Sequence, residues 1–584
     1  MKMTCVKRFR NEFGVRTRYF TTATGLLLLL AGLPPGCAAG RQAAPAGIDS
    51  LVVLHTNDVH SHLDPFETSA GDRVGGVAAR SALIGRQRAL GGRVLLLDAG
   101  DLVQGTPFYN RFRGEPDHRL LDLLGYDAIA LGNHDLDDGA AAWRRRANAT
   151  RTPILSANVF AVAESAWAGG SDPPITSAAR RGAKWIGGGK VPPDVTLRYL
   201  AAPYVIVERG GLRIALFGLT TPSLDRIVAT GPNQGVAIGS AVEAARELVP
   251  RLRRQADLVI ALTHLGVDED RRLVNHVSGI DLVIGGHSHT PLFRPTLEEA
   301  EGGRATPIAQ AGSWGRYLGR TTLRWSGERA AAAVGRLIPV RPEEGEDSAV
   351  AAVVASYRSR LGADLDRIVF RSPRRVEATS LREGDSPLGN FVADVIRDRT
   401  HADLAVMNSG GIRAPLPAGD VREWDLVTML PFDNRLVVVS MTGAQVQRLL
   451  DRLARRLGKG GFGHVSGVSY VIRGDGADEA RVWRWSDEEG GKGRGRGGSR
   501  SRDGDPIDGN RVYRVATIDF LADGGDAFDE VRDGASHERT GVLLSEAAIA
   551  FLRAHPDYSF RKDGRVQWRG SGKALRDMGV RSRR

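Results

Sequence analysis

Leu51-Val-Val-Leu54-His55-Thr-Asn57-Asp58-Val-His60 opens on a four-residue apolar run and ends in a burst of imidazole, amide and carboxylate side chains. A short apolar run reads as a strand buried on both faces, and polar donors crowded at its end read as a site. The pattern recurs four more times. Val94–Leu97 leads to Asp98-Ala-Gly100-Asp101, and Ala128–Leu131 to Gly132-Asn133-His134-Asp135-Leu136-Asp137. Leu258–Leu262 leads to Thr263-His264, and Leu282–Ile284 to Gly285-Gly286-His287-Ser288-His289. Two further runs, Ile154–Ala157 and Ile214–Leu219, read as strands, while Ala78–Leu90 and Ala241–Arg254 have helical spacing. Alternating strands and helices predict an α/β domain with both sheet faces covered. In open α/β sheets ligands gather outside the carboxyl ends of the strands, so the five bursts should meet in one place.

Imidazoles and carboxylates without thiols suit Zn, Mn or Fe. The donors outnumber what one ion needs, and two ions sharing a bridging carboxylate would use them all. Gly100, Gly132, Gly285 and Gly286 beside the donors let the backbone turn sharply and approach closely. A single His or Asp at a strand end is usually a turn or cap residue. Five in one order are not explained that way.

Around this core the chain has 584 residues, enough for two to four domains. Its 42% hydrophobic and 25% charged residues exclude a disordered chain, a coiled coil and a polytopic membrane protein. The net charge of +12 lies at the two ends. Residues 1–20 carry six Lys/Arg against Glu12, and residues 561–584 carry nine against Asp563 and Asp577, which leaves 21–560 neutral. Residues 561–584 therefore read as a solvated basic tail, and no nucleic-acid partner is expected.

The basic start runs into Gly25-Leu-Leu-Leu-Leu-Leu-Ala-Gly-Leu33 and then Pro34-Pro35-Gly36-Cys37. That apolar run is too short to span a bilayer and has the form of a secretory signal. Residues 1–37 read as a signal peptide with a lipobox-like end. Cys37 is then a lipid-anchor candidate, and the protein is placed in the bacterial cell envelope, lipid-anchored or periplasmic. Residues 38–50 read as a tether, 51–340 as the metal-binding domain with an insertion loop at 160–200, and 341–366 as a linker containing the helical Ser348–Leu361. A second domain follows at 367–560, with a low-complexity insert at 485–506.

That second domain has its own cluster. Asn408-Ser-Gly410-Gly411-Ile-Arg413 is a Gly-rich turn ending in Arg, suited to meeting an anion with backbone N–H groups and a guanidinium fork. Arg382 stands ahead of Gly389-Asn390-Phe-Val-Ala-Asp394, which leads into a helix. Two aromatics stand out as well: Phe432, in Leu-Pro-Phe-Asp-Asn, and Phe520, six residues before Asp526.

The ordered set Asp-x-His, Gly-Asp, Gly-Asn-His-Asp, His and Gly-His-x-His resembles the calcineurin-like metallophosphoesterases. With the second cluster, the chain is similar over residues 50–560, less the two inserts, to the 5′-nucleotidase family of UDP-sugar hydrolases and ecto-5′-nucleotidases. The resemblance implies a four-layer α/β/β/α metallophosphoesterase domain followed by an α+β nucleotide-binding domain. It implies Asp58, His60 and His289 on one ion, Asn133, His264 and His287 on the other, and Asp101 bridging, with two divalent ions (Zn, Mn or Co) as cofactors. His134 matches the catalytic histidine and Asp137 the carboxylate that orients it. This chain has Asp135 where many relatives have Glu, and some relatives carry Gln in place of His289. Arg382 matches a phosphate contact, and Asn408, Gly410, Gly411 and Arg413 complete the substrate-binding set. Phe432 and Phe520 match the rings that sandwich the base, and Asp526 the carboxylate that takes the ribose hydroxyls.

The activity so implied is exported hydrolysis of nucleoside 5′-monophosphates to nucleoside and phosphate, extending to UDP-sugars and nucleoside di- and triphosphates. A 2′,3′-cyclic-nucleotide 2′-phosphodiesterase/3′-nucleotidase would use the same parts. An inactive nucleotide-binding surface protein is disfavoured, because every matched metal and catalytic position is filled. Oligomeric state is left open.

Overall fold

The computed structural model describes residues 49–569 apart from 69–70, 163–179, 181, 229–230, 301–302, 326–329, 475 and 483–503. The signal segment, Cys37, most of the tether, residues 570–584 of the basic tail and nearly all of the 485–506 insert lie outside the described residues.

Alternation along each apolar run builds the layers. Leu51 and Val53 point into one core with Leu95, Leu97, Ile214, Leu216, Leu258, Ile260, Leu282 and Ile284. Val52, Leu54 and Leu96 point the opposite way, into a core shared with helices. Ala215, Phe217, Val259, Ala261 and Val283 do the same on the far side. Strands buried on both faces read as continuous apolar runs, which is why every run lacks a polar face. Two six-stranded sheets result, packed face to face. The first runs Ala330–Pro339, Tyr317–Trp325, Asp49–Thr56, Arg93–Asp98, Ala128–Ala130, Ile154–Leu155. The second runs Tyr204–Arg209, Leu212–Thr220, Leu258–His264, Leu282–Gly285, Arg304–Ala309, Thr296–Ala300. Helices Val77–Ala89 and Glu115–Leu124 cover the first sheet, and Ala241–Arg253 and Val267–His276 cover the second. The body is thus α/β/β/α.

Three segments differ from their sequence reading. The ends of the 160–200 loop are paired strands: Val159–Val162, Lys184–Trp185 and Leu197–Tyr199 join Val236–Ile238 in a four-stranded sheet. Val159, Phe160, Ala161, Leu197 and Tyr199 are buried there, so the apolar ends of the insert have a core to fill. The linker helix Ser348–Leu361 is docked on the first body. Asp347 caps it by accepting from the amides of Ala349 and Val350, and Val350, Val354 and Tyr357 enter the core beneath the first sheet's helices. The Tyr357 hydroxyl donates to Glu115 at 2.7 Å. Finally, residues 561–569 are not a solvated tail. Val566–Trp568 pairs parallel to Val468–Arg473, and Arg565, 3% exposed, is held by Asp394 and Asp563 at 2.7 and 2.6 Å.

The second body centres on a five-stranded sheet, ordered Gly463–Ser466, Leu404–Asn408, Val512–Ile518, Arg435–Thr442, Ser536–Leu543. Helices Pro387–Thr400, Gly443–Arg455 and Leu544–Ala554 pack against it around one apolar core. Two-stranded pairing of Ile368–Ser372 with Gly419–Arg422 starts the body. Among the described residues no helix is long and apolar enough to cross a membrane.

Candidate metal centre and adjoining pocket

The five polar bursts converge at the carboxyl ends of their strands. Asp58, His60, Asp101, His287 and His289 all have positive φ, between 49° and 75°. That region is unfavourable for residues with a Cβ, and five instances in one place mark backbone bent to aim side chains. Two groups of donors result: Asp58, His60 and His289, and Asp101, His264 and His287. In the first, His60 Nε2 lies 3.1 Å from His289 Nε2, and His289 Nε2 lies 3.4 Å from Asp58 Oδ1. In the second, His264 Nε2 is 3.1 Å from Asp101 Oδ2, and Asn133 Oδ1 is 3.2 Å from His264 Nε2 and 2.9 Å from His287 Nδ1. Asp101 Oδ2 also stands 3.8 Å from His60 Nε2, so one carboxylate faces both groups.

The chemistry of these donors fits two cations. His264 Nδ1 donates to the Ala99 carbonyl at 2.8 Å and His60 Nδ1 to that of Val103 at 3.3 Å, which turns both Nε2 atoms inward. Backbone carbonyls commonly fix metal-ligating imidazoles in this way. Burial holds His60 well below its ordinary value, and burial with His264 pushes His287 down to about 3, so both stay neutral donors. Burial opposes ionisation of Asp101, yet His264 and His134 hold it well below the usual carboxylate range. Burial opposes a charge on His264, but Asp101 and Asp58 raise it to about 10, so its inward Nε2 carries a proton that a divalent cation would displace, beside the neutral His60 and His287 and the ionised Asp101. Backbone crowding fits as well: a Cβ at Gly286 would stand 2.7 Å from the Ala99 oxygen and 3.0 Å from His264 Nδ1, and one at Gly132 would strike Asp101.

Beside the centre, His134 Nδ1 meets Asp137 Oδ2 at 2.8 Å, and the His134 amide donates to Asp101 Oδ1 at 2.8 Å. Burial alone would lower the His134 pKa; Asp137 and Asp101 outweigh it and hold His134 above its ordinary value. Asp135 accepts the Gly132 amide at 2.8 Å and shapes the turn.

The second body closes over this centre. Arg413 Nη2 reaches to 3.4 Å from His60 Nε2, and the Phe432 ring lies 5.8 Å from that of His134. Asn408 Nδ2 donates to Asp526 Oδ2 at 2.7 Å. Phe520 is half-buried at the edge of the second body's core, close against Gly525. Arg382 is exposed, with its guanidinium near Gly460. The Gly-rich turn does not present its N–H groups as its sequence suggests. Ser409 N donates to Phe462 O, Gly410 N to Gly460 O, Ile412 N to Ser409 O and Arg413 N to Met429 O. Four amides are spent inside the fold, so the turn serves to aim Asn408 and Arg413. A Cβ at Gly411 would stand 2.3 Å from the Met407 methyl, so that side chain would have to shift to admit one.

Two supporting residues stand outside the candidate set: His464, with no local signal in the sequence, and Asp98, which lies in the burst after Val94–Leu97. His464 is buried against Gly389, with Nε2 3.1 Å from the Ser409 hydroxyl, and so locks the turn from behind. Asp98 accepts from the Gly100 amide at 2.9 Å and from Thr56, pinning the loop that carries Asp101.

A centre for two cations at the strand ends of an α/β/β/α body, with a histidine–carboxylate pair beside it, defines a metallophosphoesterase. Residues 51–291 match the calcineurin-like phosphoesterase family, and residues 363–533 match the 5′-nucleotidase C-terminal domain. The chain thus carries a calcineurin-like phosphoesterase domain followed by a 5′-nucleotidase C-terminal domain, as 5′-nucleotidase homologues do, and is a phosphoric monoester hydrolase by class. UshA of Yersinia enterocolitica is 26% identical over 588 residues, covering 92% of this chain and 96% of that protein. The trifunctional nucleotide phosphoesterase YfkN of Bacillus subtilis is 27% identical over 526 residues, 85% of this chain; the chain spans 33% of YfkN. The 5′-nucleotidase precursor of Thermus thermophilus superposes with a TM-score of 0.76 at 28% identity, covering 89% of this chain and all of that one.

Proposed function

We propose that this chain is an exported enzyme that cleaves nucleoside 5′-monophosphates to nucleoside and phosphate, with UDP-sugars and nucleoside di- and triphosphates as further substrates. The observation that carries this reading is the approach of Arg413 to His60. It sets an anion-binding fork of the second body directly on the metal centre, where a phosphate bound by one is presented to the other. The names of the relatives, nucleotide phosphoesterase and 5′-nucleotidase, point the same way.

In this reading Asp58, His60 and His289 hold one ion, Asn133, His264 and His287 the other, and Asp101 serves both. When bound, the ions would neutralise the phosphoryl oxygens and acidify the attacking water. Arg413 and Arg382 orient the phosphate. His134, kept protonated by Asp137, donates a hydrogen bond to the oxygen on which charge develops as the ester breaks. Asp526, steadied by Asn408, takes the ribose hydroxyls. Phe432 and Phe520 stack on the base, and Phe432 also shields His134 from solvent. Export rests on the signal-like residues 1–37 with Cys37 as the acylated residue, which intact-mass measurement of the cell-envelope protein would reveal.

The test is phosphate release from AMP, UDP-glucose, ATP, 3′-AMP and 2′,3′-cyclic AMP with Mn²⁺, Zn²⁺, Co²⁺ or EDTA, beside His134→Ala. Metal-dependent turnover of AMP that is lost in the variant supports the reading. Preference for the cyclic or 3′ substrates would move it to the sibling activity, and nucleotide binding without turnover would refute it.

A further inference from the structure

A ring of contacts starts and ends on His134. Its Nδ1 meets Asp137 at 2.8 Å. The next residue, Asp138, faces Arg113 Nη1 at 3.6 Å and takes Arg146 Nη1 at 3.2 Å. Arg113 Nη2 is ion-paired with Asp433 of the second body, and the Asn110 amide donates to the same carboxylate at 3.4 Å. Asp433 follows Phe432, whose ring lies 5.8 Å from the His134 imidazole. The loop through two bodies is closed.

Arg113 is built for that place. It ends the short helix Pro107–Phe112 with φ 51° and ψ 39°, a left-handed conformation that favours glycine, although Gly114 stands next to it. Its guanidinium lies 5.6 Å over the ring of Tyr109, which is buried. A strained backbone and an aromatic platform both restrict where the side chain can point. A lone exposed ion pair contributes little because two mobile side chains must be ordered. Here one partly ordered guanidinium serves two carboxylates, one from each body.

We propose that Arg113 is a positioning residue that holds the Phe432–Asp433 turn against His134, so that one ion-pair network aligns the ring that stacks on the substrate with the histidine that assists bond cleavage. The proposal deepens the nucleotide reading and rests on it. It requires that Arg113 matter for substrates that engage Phe432 and not for phosphate-ester cleavage as such.

The experiment measures kcat and KM for AMP and for p-nitrophenyl phosphate, which has no base or ribose. The proteins are the full chain, Arg113→Ala, Asp433→Ala and the double variant. Each single change is expected to lower kcat/KM for AMP about five-fold, mainly through KM, as loss of a partly exposed pair allows. Rates with p-nitrophenyl phosphate should change less than about two-fold, and the double variant should be no worse than either single one, because both remove the same contact. Equal losses on both substrates, additive losses, or no loss on AMP would each overturn the proposal.

A second measurement does not depend on substrate. Nitroxides on Leu123→Cys and Val512→Cys, both at exposed positions on different bodies, report their separation in a Cys5→Ser, Cys37→Ser chain. Arg113→Ala should broaden that distance distribution, and an unchanged distribution overturns the proposal. If the unaltered chain cleaves p-nitrophenyl phosphate but never AMP, the nucleotide reading falls, and the distance measurement still decides the role of Arg113.

Discussion

Arg413 Nη2 stands 3.4 Å from His60 Nε2, across the boundary between the two bodies. The imidazole turns its lone pair inward, because its Nδ1 is committed to the Val103 carbonyl. Arg413 is half-buried among Arg382, Asp101, Asp58 and Asp137, and burial followed by the like charge of Arg382 lowers its pKa. Two cationic side chains drawn together at the mouth of a metal centre are relieved by a dianion between them. Arg413→Ala is therefore expected to reduce kcat/KM for AMP by about 100-fold, the worth of a lost charge-assisted fork. Arg413→Lys should recover only part of it, since a point charge does not reproduce two parallel N–H donors. Steady-state kinetics decide the matter, and full activity of the lysine variant would count against a bidentate phosphate contact.

His134 and Asp137 give a prediction with a pH signature. Removing a general acid costs about 10²–10⁴-fold, so His134→Ala should fall in that range on AMP. Burial pulls the His134 pKa down, while Asp137 and Asp101 raise it past its ordinary value. A group raised in this way is protonated at neutral pH and loses its proton as the pH climbs. The kcat profile should therefore decline on its alkaline side, and Asp137→Asn should shift that decline to lower pH. A profile that stays fixed in Asp137→Asn would show that Asp137 does not set the proton on His134.

Asp101 differs from the other donors because its carboxylate faces both groups, at 3.1 Å from His264 Nε2 and 3.8 Å from His60 Nε2. Asn133 touches only His264 and His287 of the donor set. Elemental analysis of purified variants should then find both ions depleted in Asp101→Ala and one ion depleted in Asn133→Ala. Stripping the wild type with chelator should abolish turnover and lower its thermal stability, because an ion bound at 100 times its Kd stabilises by about 2.7 kcal/mol. Full metal content in Asp101→Ala would remove its bridging role.

Much of this arrangement is legible in the chain because its cause is local. Each apolar run is a strand, and the donors that follow it meet because the strands run parallel in two stacked sheets with their carboxyl ends together. What is not legible depends on partners far away in sequence. The amides of Ser409 and Gly410 look free to meet an anion until Phe462 and Gly460 supply carbonyls for them. Arg565 reads as one more charge in a basic tail until Asp394, 171 residues earlier, folds against it. The helix Ser348–Leu361 reads as a connector because nothing within it reveals that Tyr357 will bond to Glu115. Arg113 has no local signature at all. Its meaning appears only when Asp433 arrives from the second body.

His464 extends the same point to stability. It is 1% exposed, packed on Gly389, with Nε2 donating to the Ser409 hydroxyl, which itself donates to the Leu381 and Phe462 carbonyls at 2.7 and 2.8 Å. Burial pushes its pKa from 6.5 down to about 3. The unfolded chain therefore binds a proton below pH 6.5 that the folded chain refuses. The stability His464 contributes is complete above that pH and is lost as the pH falls toward 3, by about 1.4 kcal/mol per unit. Urea unfolding of the wild type and His464→Gln at pH 7.5 and 5.0 should show the variant's deficit shrinking by about 2 kcal/mol at the lower pH. A deficit that stays constant between the two would mean that the histidine takes up its proton in the folded state, and that the clamp on the Asn408–Arg413 turn tolerates a charge.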